Sequence, residues 1–248
     1  MYRQTPTTTS YKNIILVGAG GSLGSVLLNS LLSEPAFRVT ILARESPKAL
    51  ASIPSSAKVI TISDSYPAED LVKAFKGQDA IVNAITSFSV AEQLKFIDAA
   101  IEAGVKRYIP SEYGLDNNTP AARELSPVFG NKGHVQDYLK GKEASGLTWT
   151  AIASNTALAL NRILLNPSLS ANQIVFLSDF ATTQEQLAWD NGDAFAGYGL
   201  INIGFTKGTY SGHFEPAKKI WNKDLGLPGK ELEGVVREAL GEVGHSVF

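Results

Sequence analysis

The chain has 248 residues, of which 44% are hydrophobic, and a formal net charge of −2. These values are ordinary for one large α/β domain or for a domain with a small appendage. Acidic and basic residues nearly balance and no Lys/Arg block stands out, so nothing favours direct binding of nucleic acid. The absence of cysteine excludes disulfides, thiolate metal sites and cysteine nucleophiles, and three histidines argue against a His-rich metal site.

The sequence predicts neither secretion nor a membrane span. Residues 1–10 are polar and threonine-rich, and we expect them to form a disordered tail. The most apolar long stretch begins at Lys12, but its glycines and serines argue against a transmembrane helix. We therefore expect a cytoplasmic protein without a membrane partner.

The segment Lys12–Leu32 has the order strand, glycine-rich turn, helix. Ile14–Val17 is an unbroken apolar run with three β-branched residues, which is typical of a strand buried on both faces of a parallel sheet. Leu23, Leu27 and Leu31 recur every four residues and indicate a helix. Between such elements, a glycine-rich turn lets a pyrophosphate approach the backbone and meet free N–H groups at the start of the helix.

The glycine spacing of this turn departs from the strict G-x-G-x-x-G pattern, because Leu23 stands where the pattern requires the last glycine. The spacing of Gly18, Gly21 and Gly24, with Gly20 in addition, is similar to that of extended and atypical short-chain dehydrogenases. The residues predicted to bind a dinucleotide are Gly18, Ala19, Gly20, Gly21, Ser22, Leu23 and Gly24. The alternative is a tight strand-to-helix turn that binds no ligand.

A second strand is predicted at residues 37–43, and Arg44 follows it about twenty residues beyond the glycine turn. In a Rossmann unit the adenosine ribose is recognised here: an acidic residue binds the 2′-hydroxyl of NAD, and an arginine accommodates the 2′-phosphate of NADP. Arg44, with Glu45 outside it and Lys48 nearby, therefore predicts NADP as the cofactor. The alternative is that Arg44 is a solvated residue at a strand end.

The rest of the chain alternates between strands and helices, as in the doubly wound parallel sheet of an α/β protein. Strands are predicted at 58–62, 79–85, 105–109, 147–153 and 173–177, and helices at 68–75, 90–103, 131–144, 158–166, 184–191 and 230–240. Gly104 is predicted to cap the helix before it, and residues 115–130 to form a polar loop. We expect a Rossmann-type NAD(P)-binding domain over residues 11–157 and a small C-terminal substrate or cap region over residues 158–248.

The segment Gly104–Gly114 reads Gly-Val-Lys-Arg-Tyr-Ile-Pro-Ser-Glu-Tyr-Gly. It resembles the end of the fifth strand in the NmrA-like family of atypical short-chain dehydrogenases, especially its isoflavone reductase-like and phenylcoumaran benzylic ether reductase branch and the fungal relatives. The glycine turn, Arg44–Ser46 and the pair Asn131-Lys132 follow the same order as in that family. The resemblance implies a Rossmann-type fold, NADP as cofactor and reduction of a small aromatic or conjugated molecule.

By this resemblance, the catalytic lysine of the family falls on Lys132. Lys132, Val135 and Leu139 share one face of the predicted helix, and the two apolar residues mark that face as inward. A lysine on the first turn of this face would point to the carboxyl-terminal edge of the sheet, where ligands bind, and burial would lower its pKa. The alternative is a lysine whose stem is buried and whose amine reaches solvent at the helix start.

A second motif on this helix, Tyr138-x-x-x-Lys142, matches the Tyr-x-x-x-Lys of ordinary short-chain dehydrogenases. We interpret it as a chance match, because six residues at about 100° each turn Tyr138 away from the face of Lys132. The resembled family often carries a basic residue near the substrate one turn after its lysine, where this chain has Gln136. The substrate chemistry is therefore expected to differ.

Two functions remain open at this stage. The first is an NADPH-dependent reductase with a small-molecule substrate; the second is a non-catalytic NAD(P)-sensing regulator, with a protein partner or a second copy of the chain. In the resembled family, tens of residues follow the sixth strand and wall the substrate pocket. Here Thr156 leads almost directly into the next helix. We therefore expect a shortened pocket wall, an apolar surface exposed beside Leu158, Leu160 and Ile163, measurable NADPH binding and weak or absent reductase activity.

Overall fold

Seven strands form one sheet in the computed structural model, which describes residues 10–45, 53–54, 57–153, 157–177, 221 and 223–227, without the side chains of Phe88 and Leu158. They are β1 (Asn13–Val17), β2 (Arg38–Arg44), β3 (Lys58–Ile62), β4 (Ala80–Asn83), β5 (Arg107–Ile109), β6 (Thr148–Ala153) and β7 (Gln173–Phe176). Their order across the sheet is β3-β2-β1-β4-β5-β6-β7, and the pairs from β3 to β6 are parallel. The strand order reverses between β1 and β4, as in a Rossmann-type doubly wound sheet.

Helices connect the strands. They are α1 (Ser22–Ser33), α2 (Ala68–Phe75), α3 (Gln93–Glu102), α4 (Pro120–Glu124), α5 (Pro127–Gly141) and α6 (Ala157–Leu165). Short 3₁₀ segments lie at Ser87–Glu92, Glu143–Ser145 and Pro167–Leu169. α1 packs on α6, and α3 packs on α2 and α5.

The two central strands are buried on both faces. Ile14, Ile15 and Leu16 of β1 are each 0% exposed, and all four residues of β4 are buried. Because successive strand residues point to opposite faces, helices must cover both sides of the sheet. The α/β doubly wound fold expected from the sequence is confirmed. Because helices cover both faces of the sheet, a ligand can reach the central strands only at their ends.

The predicted strands and helices before residue 177 are present, with ends shifted by up to four residues. Gly104 has a φ of +74° and its N–H donates to the carbonyl of Ile101, as expected of a helix cap. The predicted polar loop at residues 115–130 is wrong, because it contains α4 and the first turn of α5. Pro120 and Pro127 occupy N1 or N2 of these helices, where a missing N–H costs nothing.

The predicted exposure of an apolar surface on the helix after Thr156 is also wrong for two of its three residues. Leu160 and Ile163 are each 0% exposed. The contact with α1 explains this: Ser30 Oγ donates to the carbonyl of Ala157 (3.2 Å), and Asn161 Nδ2 donates to the carbonyl of Ser30 (2.8 Å). α6 therefore belongs to the core of the sheet domain.

The chain divides into two units, Met1–Val175 and Phe176–Phe248. α6 lies in the first unit, while the predicted domain boundary after residue 157 stays a prediction. The tail at residues 1–9 and the helices predicted at 184–191 and 230–240 lie outside the described residues. Within the part of the chain that is described, no helix has the length and apolar character needed to cross a membrane.

Candidate functional site

The carboxyl ends of β1 and β4 meet where the strand order reverses. Gly18 follows β1 with a φ of +87°, and a Cβ there would lie 2.5 Å from the carbonyl oxygen of Ala84 and 2.9 Å from the nitrogen of Ile85. Glycine is therefore required at position 18 for its backbone conformation and for its space. The close approach of the two strand ends forms the crevice in which open α/β sheets bind ligands.

Two further glycines of this turn have different tasks. A Cβ on Gly24 would collide with the carbonyl oxygen of Gly18, so Gly24 allows α1 to pack against the turn. A Cβ on Gly21 would lie 3.6 Å from the same oxygen, its nearest contact, so folding does not require glycine there. Gly20, Gly21 and Ser22 are exposed, Leu23 is half-buried and Ala19 is buried. The exposed backbone of residues 20–22 is thus the part of the turn open to a ligand.

The start of α1 is suited to an anion. Gly21 is the N-cap, no side chain caps the helix, and no acidic residue lies in the first turn. Within the helix the first hydrogen bond runs from the N–H of Ser25 to the carbonyl of Gly21 (2.8 Å), so Ser22, Leu23 and Gly24 present N–H groups without an intrahelical acceptor. These groups and the helix dipole favour a negatively charged group such as a pyrophosphate.

Arg44 ends β2 at the same edge of the sheet, and its side chain is 54% exposed. Its Nε lies 3.8 Å from Oδ1 of Asp64, which follows β3. Tyr66 nearby has a φ of +50° and packs edge-on against Phe96, with ring centroids 4.9 Å apart. Arg44 therefore lies at the end of β2, as predicted. The carboxylate of Asp64 beside it was not predicted and would compete with a phosphate for its guanidinium group.

Lys132 reaches the end of β5 from α5. Its Nζ donates to the main-chain carbonyl of Glu112 (2.6 Å), and burial lowers the pKa of its ammonium group, with the nearby Glu112 opposing that shift. Val135 and Leu139 are 0% and 1% exposed, which confirms that this face of α5 points inward. Lys132 lies in the second turn of α5 rather than in its first turn, because the helix begins at Pro127.

Glu112 lies at the centre of a buried polar cluster that the sequence did not reveal. Its side chain is 1% exposed, and its Oε2 accepts hydrogen bonds from Nδ2 of Asn117 (2.6 Å) and Nε2 of Gln136 (2.8 Å). Its Oε1 is buried without a hydrogen-bond partner, and burial raises the pKa of this carboxyl group. The segment Gly104–Gly114 contains Glu112, but its partners lie further along the chain and no spacing rule identifies them.

Gln136 stands where the resembled family often carries a basic residue near the substrate. Its side chain is 1% exposed, and its Nε2 donates to the carboxylate of Glu112 (2.8 Å). Its amide therefore helps to hold Glu112, the residue whose main-chain carbonyl binds the amine of Lys132.

Hydrogen bonds tie the end of β5 to the end of β4. Ser111 Oγ donates to the carbonyl of Ile85 (3.0 Å), and the N–H of Ser111 donates to Oε1 of Gln93 (2.9 Å). Because Ile85 also lies against Gly18, the segment that holds Lys132 is joined to the crevice at the glycine turn. The predicted lysine and the predicted cradle thus belong to one connected edge of the sheet.

Both residues of the competing Tyr138-Lys142 motif contact Asp98 on α3. Tyr138 hydroxyl lies 2.7 and 2.8 Å from the carboxylate oxygens of Asp98 on α3, and Lys142 Nζ lies 3.0 Å from the same carboxylate. Asp98 is 54% exposed, so these contacts form on a solvent-facing part of the two helices. This geometry supports the interpretation of the motif as a chance match. Among the described residues, no group of three or more His, Asp or Glu side chains could hold a metal ion.

Comparisons with known proteins identify a family and several relatives. The NmrA-like family model matches residues 10–164. Oxidoreductase aprR of Aspergillus flavus is 42% identical over 146 residues, which cover 58% of this chain and 48% of that protein. Phenylcoumaran benzylic ether reductase Pyrc5 of Pyrus communis is 30% identical over 158 residues, covering 59% and 49%. The chain spans about half the length of these curated relatives.

Solved structures share the fold at low sequence identity. The crystal structure of isoflavone reductase is similar over 93% of this chain and 100% of its own, with a TM-score of 0.69 and 18% identity. AtPrR2 with NADP⁺ and (+)pinoresinol is similar over 95% and 96%, with a TM-score of 0.61 and 20% identity. These likenesses establish a common architecture.

Proposed function

The chain belongs to the NmrA-like family, and we propose that it is an NADPH-dependent reductase of a small aromatic or conjugated molecule. The observation that carries the proposal is Lys132, whose partly buried amine stands at the carboxyl end of β5 with a lowered pKa. A lowered pKa makes the ammonium group of a lysine a better proton donor.

The residues at the glycine turn fit the cofactor. A pyrophosphate would meet the free N–H groups of Ser22, Leu23 and Gly24, and the absence of a side chain at Gly21 leaves room for it. Arg44 would pair with the 2′-phosphate of NADP. The structural neighbours include complexes with NADP⁺ and NADPH, which supports a nicotinamide cofactor.

The chemical roles follow from this arrangement. When bound, NADPH supplies the hydride. Lys132 meets the developing oxyanion of the substrate and either transfers a proton to it from Nζ or stabilises it with its ammonium charge. The main-chain carbonyl of Glu112 holds the amine in place for this task.

The substrate class rests on relatives and neighbours. The curated relatives include phenylcoumaran benzylic ether reductases and eugenol synthases, and AtPrR2 binds pinoresinol. The compounds in these names all contain aromatic rings with oxygen substituents. We assign the same broad class to this chain, while the buried Gln136 leaves the individual substrate open.

The test is NADPH oxidation by the purified protein with a panel of aromatic and conjugated carbonyl or benzylic ether compounds. Lys132→Ala should remove most of the turnover, about 10²-fold or more, and leave NADPH affinity within a few-fold. Tyr138→Phe is the matched control on the same helix and should keep the wild-type rate. A Lys132→Ala variant that turns over an accepted substrate at the wild-type rate would contradict the proposal. NADPH binding without turnover of any compound would favour a non-catalytic NAD(P) sensor instead.

A further inference from the structure

The amine of Lys132 is held by a backbone atom. Its hydrogen bond goes to the main-chain carbonyl oxygen of Glu112, not to the carboxylate. A substitution of the Glu112 side chain therefore leaves this acceptor in place. At this residue, an experiment can therefore separate the effect of the main-chain carbonyl, which positions the amine, from the effect of the side-chain charge.

The carbonyl that accepts this bond belongs to a tightly constrained turn. The N–H of Glu112 donates to the carbonyl of Pro110 (2.8 Å), and Tyr113 has a φ of +42°, which non-glycine residues rarely adopt. Ser111 is fixed to Ile85 and Gln93 through its side chain and its N–H. Backbone strain of this kind persists only where the surroundings hold it, and here it aims the carbonyl at Lys132.

The carboxyl group of Glu112 is buried and interacts electrostatically with the same amine. Two amide groups, from Asn117 and Gln136, bind Oε2, and within the described part of the chain Oε1 has no hydrogen-bond partner. Lys132 favours the charged form of this carboxyl group, and burial disfavours it. Among the described residues, the hydrogen bonds to the carboxylate come from neutral amides. The positive charge of Lys132 therefore stabilises the ionised carboxylate without a direct hydrogen bond to it.

In the described part of the chain, three further ionisable groups interact with Glu112. Asp116 lies on the same loop and disfavours ionisation of Glu112, and the hydroxyl of buried Tyr113 also faces Glu112. Arg123 on α4 faces Glu112 and Asp116, but its guanidinium is bound in a two-point pair by Asp137 (2.7 and 2.9 Å). Among the described residues, Glu112 is the charged group that shifts the pKa of Lys132 upward, against the effect of burial.

We infer that Glu112 is a positioning residue for Lys132: its main-chain carbonyl fixes the amine, and its buried carboxylate keeps that amine charged. The inference rests on the proposed function only for the role of Lys132 at the substrate. A negative charge favours the ammonium form of a neighbouring lysine, whereas burial disfavours it. Glu112 therefore sets the pH at which Lys132 can act as a proton donor.

The experiment follows the titration of Lys132 directly. Protein labelled with ¹³C-lysine is titrated by NMR, and the Lys132 signal is assigned by its loss in Lys132→Arg. Glu112→Gln keeps the shape and the backbone carbonyl but removes the charge. We expect the pKa of Lys132 to fall by about one unit or more, which is about a tenfold change in the ratio of its charged to its neutral form. Asp70→Asn, which removes an equal charge from an exposed ion pair on α2, should leave the pKa unchanged.

A Lys132 pKa within about 0.3 unit of wild type in a folded Glu112→Gln protein would overturn the inference. If that variant does not fold, the wild-type protein decides. The Glu112 carboxyl, labelled with ¹³C and assigned through its backbone, is followed by NMR and should lose its proton at lower pH than Lys132. A Glu112 carboxyl that is still protonated where Lys132 titrates would overturn the inference.

These readouts need no turnover. Normal turnover in Lys132→Ala would refute the catalytic role of the lysine and leave the Glu112 result standing. In an active enzyme, Glu112→Gln should also move the alkaline limb of the kcat profile to lower pH, with KM for NADPH unchanged.

Discussion

At the scale of single residues, Arg44 determines the expected preference for NADPH over NADH. A hydrogen-bonded pair between an arginine and a phosphate contributes about 1.5–3 kcal/mol, which is about tenfold or more in affinity. Arg44→Ala should therefore weaken NADPH binding by about tenfold or more and leave NADH binding unchanged. Titrating both cofactors against the fluorescence of the three tryptophans measures this. Equal affinities of the wild-type protein for NADPH and NADH would refute the preference.

Asp64 provides a matched test in the opposite direction. Its carboxylate lies 3.8 Å from the Arg44 guanidinium and would also face a phosphate placed there. Because both side chains are more than half exposed, their attraction contributes only about 0–1 kcal/mol. Asp64→Asn should raise NADPH affinity by a few-fold at most, with NADH binding unchanged, whereas a loss of NADPH affinity would show that Asp64 contributes a contact.

At the scale of elements, the glycine turn combines a folding requirement with a binding requirement. Gly24→Ala places a methyl group against the carbonyl of Gly18, which should cost about 1–3 kcal/mol or more of unfolding free energy. Gly21→Ala meets no atom closer than 3.6 Å and should change stability by less than about 1 kcal/mol, yet its methyl group should weaken NADPH binding. Urea unfolding and cofactor titration of both variants separate the effects. Equal destabilisation by the two substitutions would contradict this division.

The carboxylate of Asp79 connects the start of β1 to the residue before β5 through hydrogen bonds. Its Oδ2 accepts from the N–H groups of Lys12 and Asn13 (3.0 Å each), and its Oδ1 accepts from Lys106 Nζ (2.8 Å). Burial alone would raise the pKa of Asp79, but these hydrogen bonds outweigh it and hold the pKa below its ordinary value. The charged carboxylate therefore stabilises the fold above the ordinary aspartate pKa, and this stabilisation is lost as the pH falls through the lowered value.

The corresponding prediction is that Asp79→Asn lowers the unfolding free energy by about 1–2 kcal/mol at neutral pH, and by progressively less in acid. Urea unfolding over a pH series measures it. Asp70→Asn, which breaks an exposed pair with Lys73 on α2, is the control and should change stability by less than about 0.5 kcal/mol. A pH-independent effect at Asp79 would argue against a role for its charge.

The elements also show which local signals the sequence contains. Strands β1 and β4 were predictable because their apolar runs are buried on both faces. The start of α5 was missed although Ser126-Pro127 is a helix-start signal, because prolines in a polar stretch also indicate a loop. Tyr113 at positive φ could not be predicted, since its conformation depends on the packing of the segment after β5.

At the scale of the whole molecule, the doubly wound parallel sheet could be predicted from the sequence, whereas the hydrogen bonds around Glu112 could not. The alternation of strands and helices restricts a parallel sheet to a few topologies, and the glycine turn marks the first strand. The cluster around Glu112 joins residues separated by 5 and 24 positions, through side-chain hydrogen bonds made only in the folded chain. Nothing in the residue spacing indicated that Gln136 would bind Glu112 rather than a substrate.

The last prediction concerns the segment after Thr156, where the sequence predicts a shortened pocket wall; residues 154–156 lie outside the described part of the chain. The predicted cofactor residues and Lys132 all precede this segment, so NADPH binding should not depend on it. A shortened wall would leave the substrate side open to water, and turnover should therefore be slow. Inserting a relative's segment after Thr156 should raise kcat by about tenfold or more and change NADPH affinity by no more than a few-fold. Steady-state kinetics and fluorescence titration of the two forms measure this, with the insertion combined with Lys132→Ala as the inactive control. If the inserted form is no faster than the natural chain on any accepted substrate, the pocket wall of this protein is complete without it.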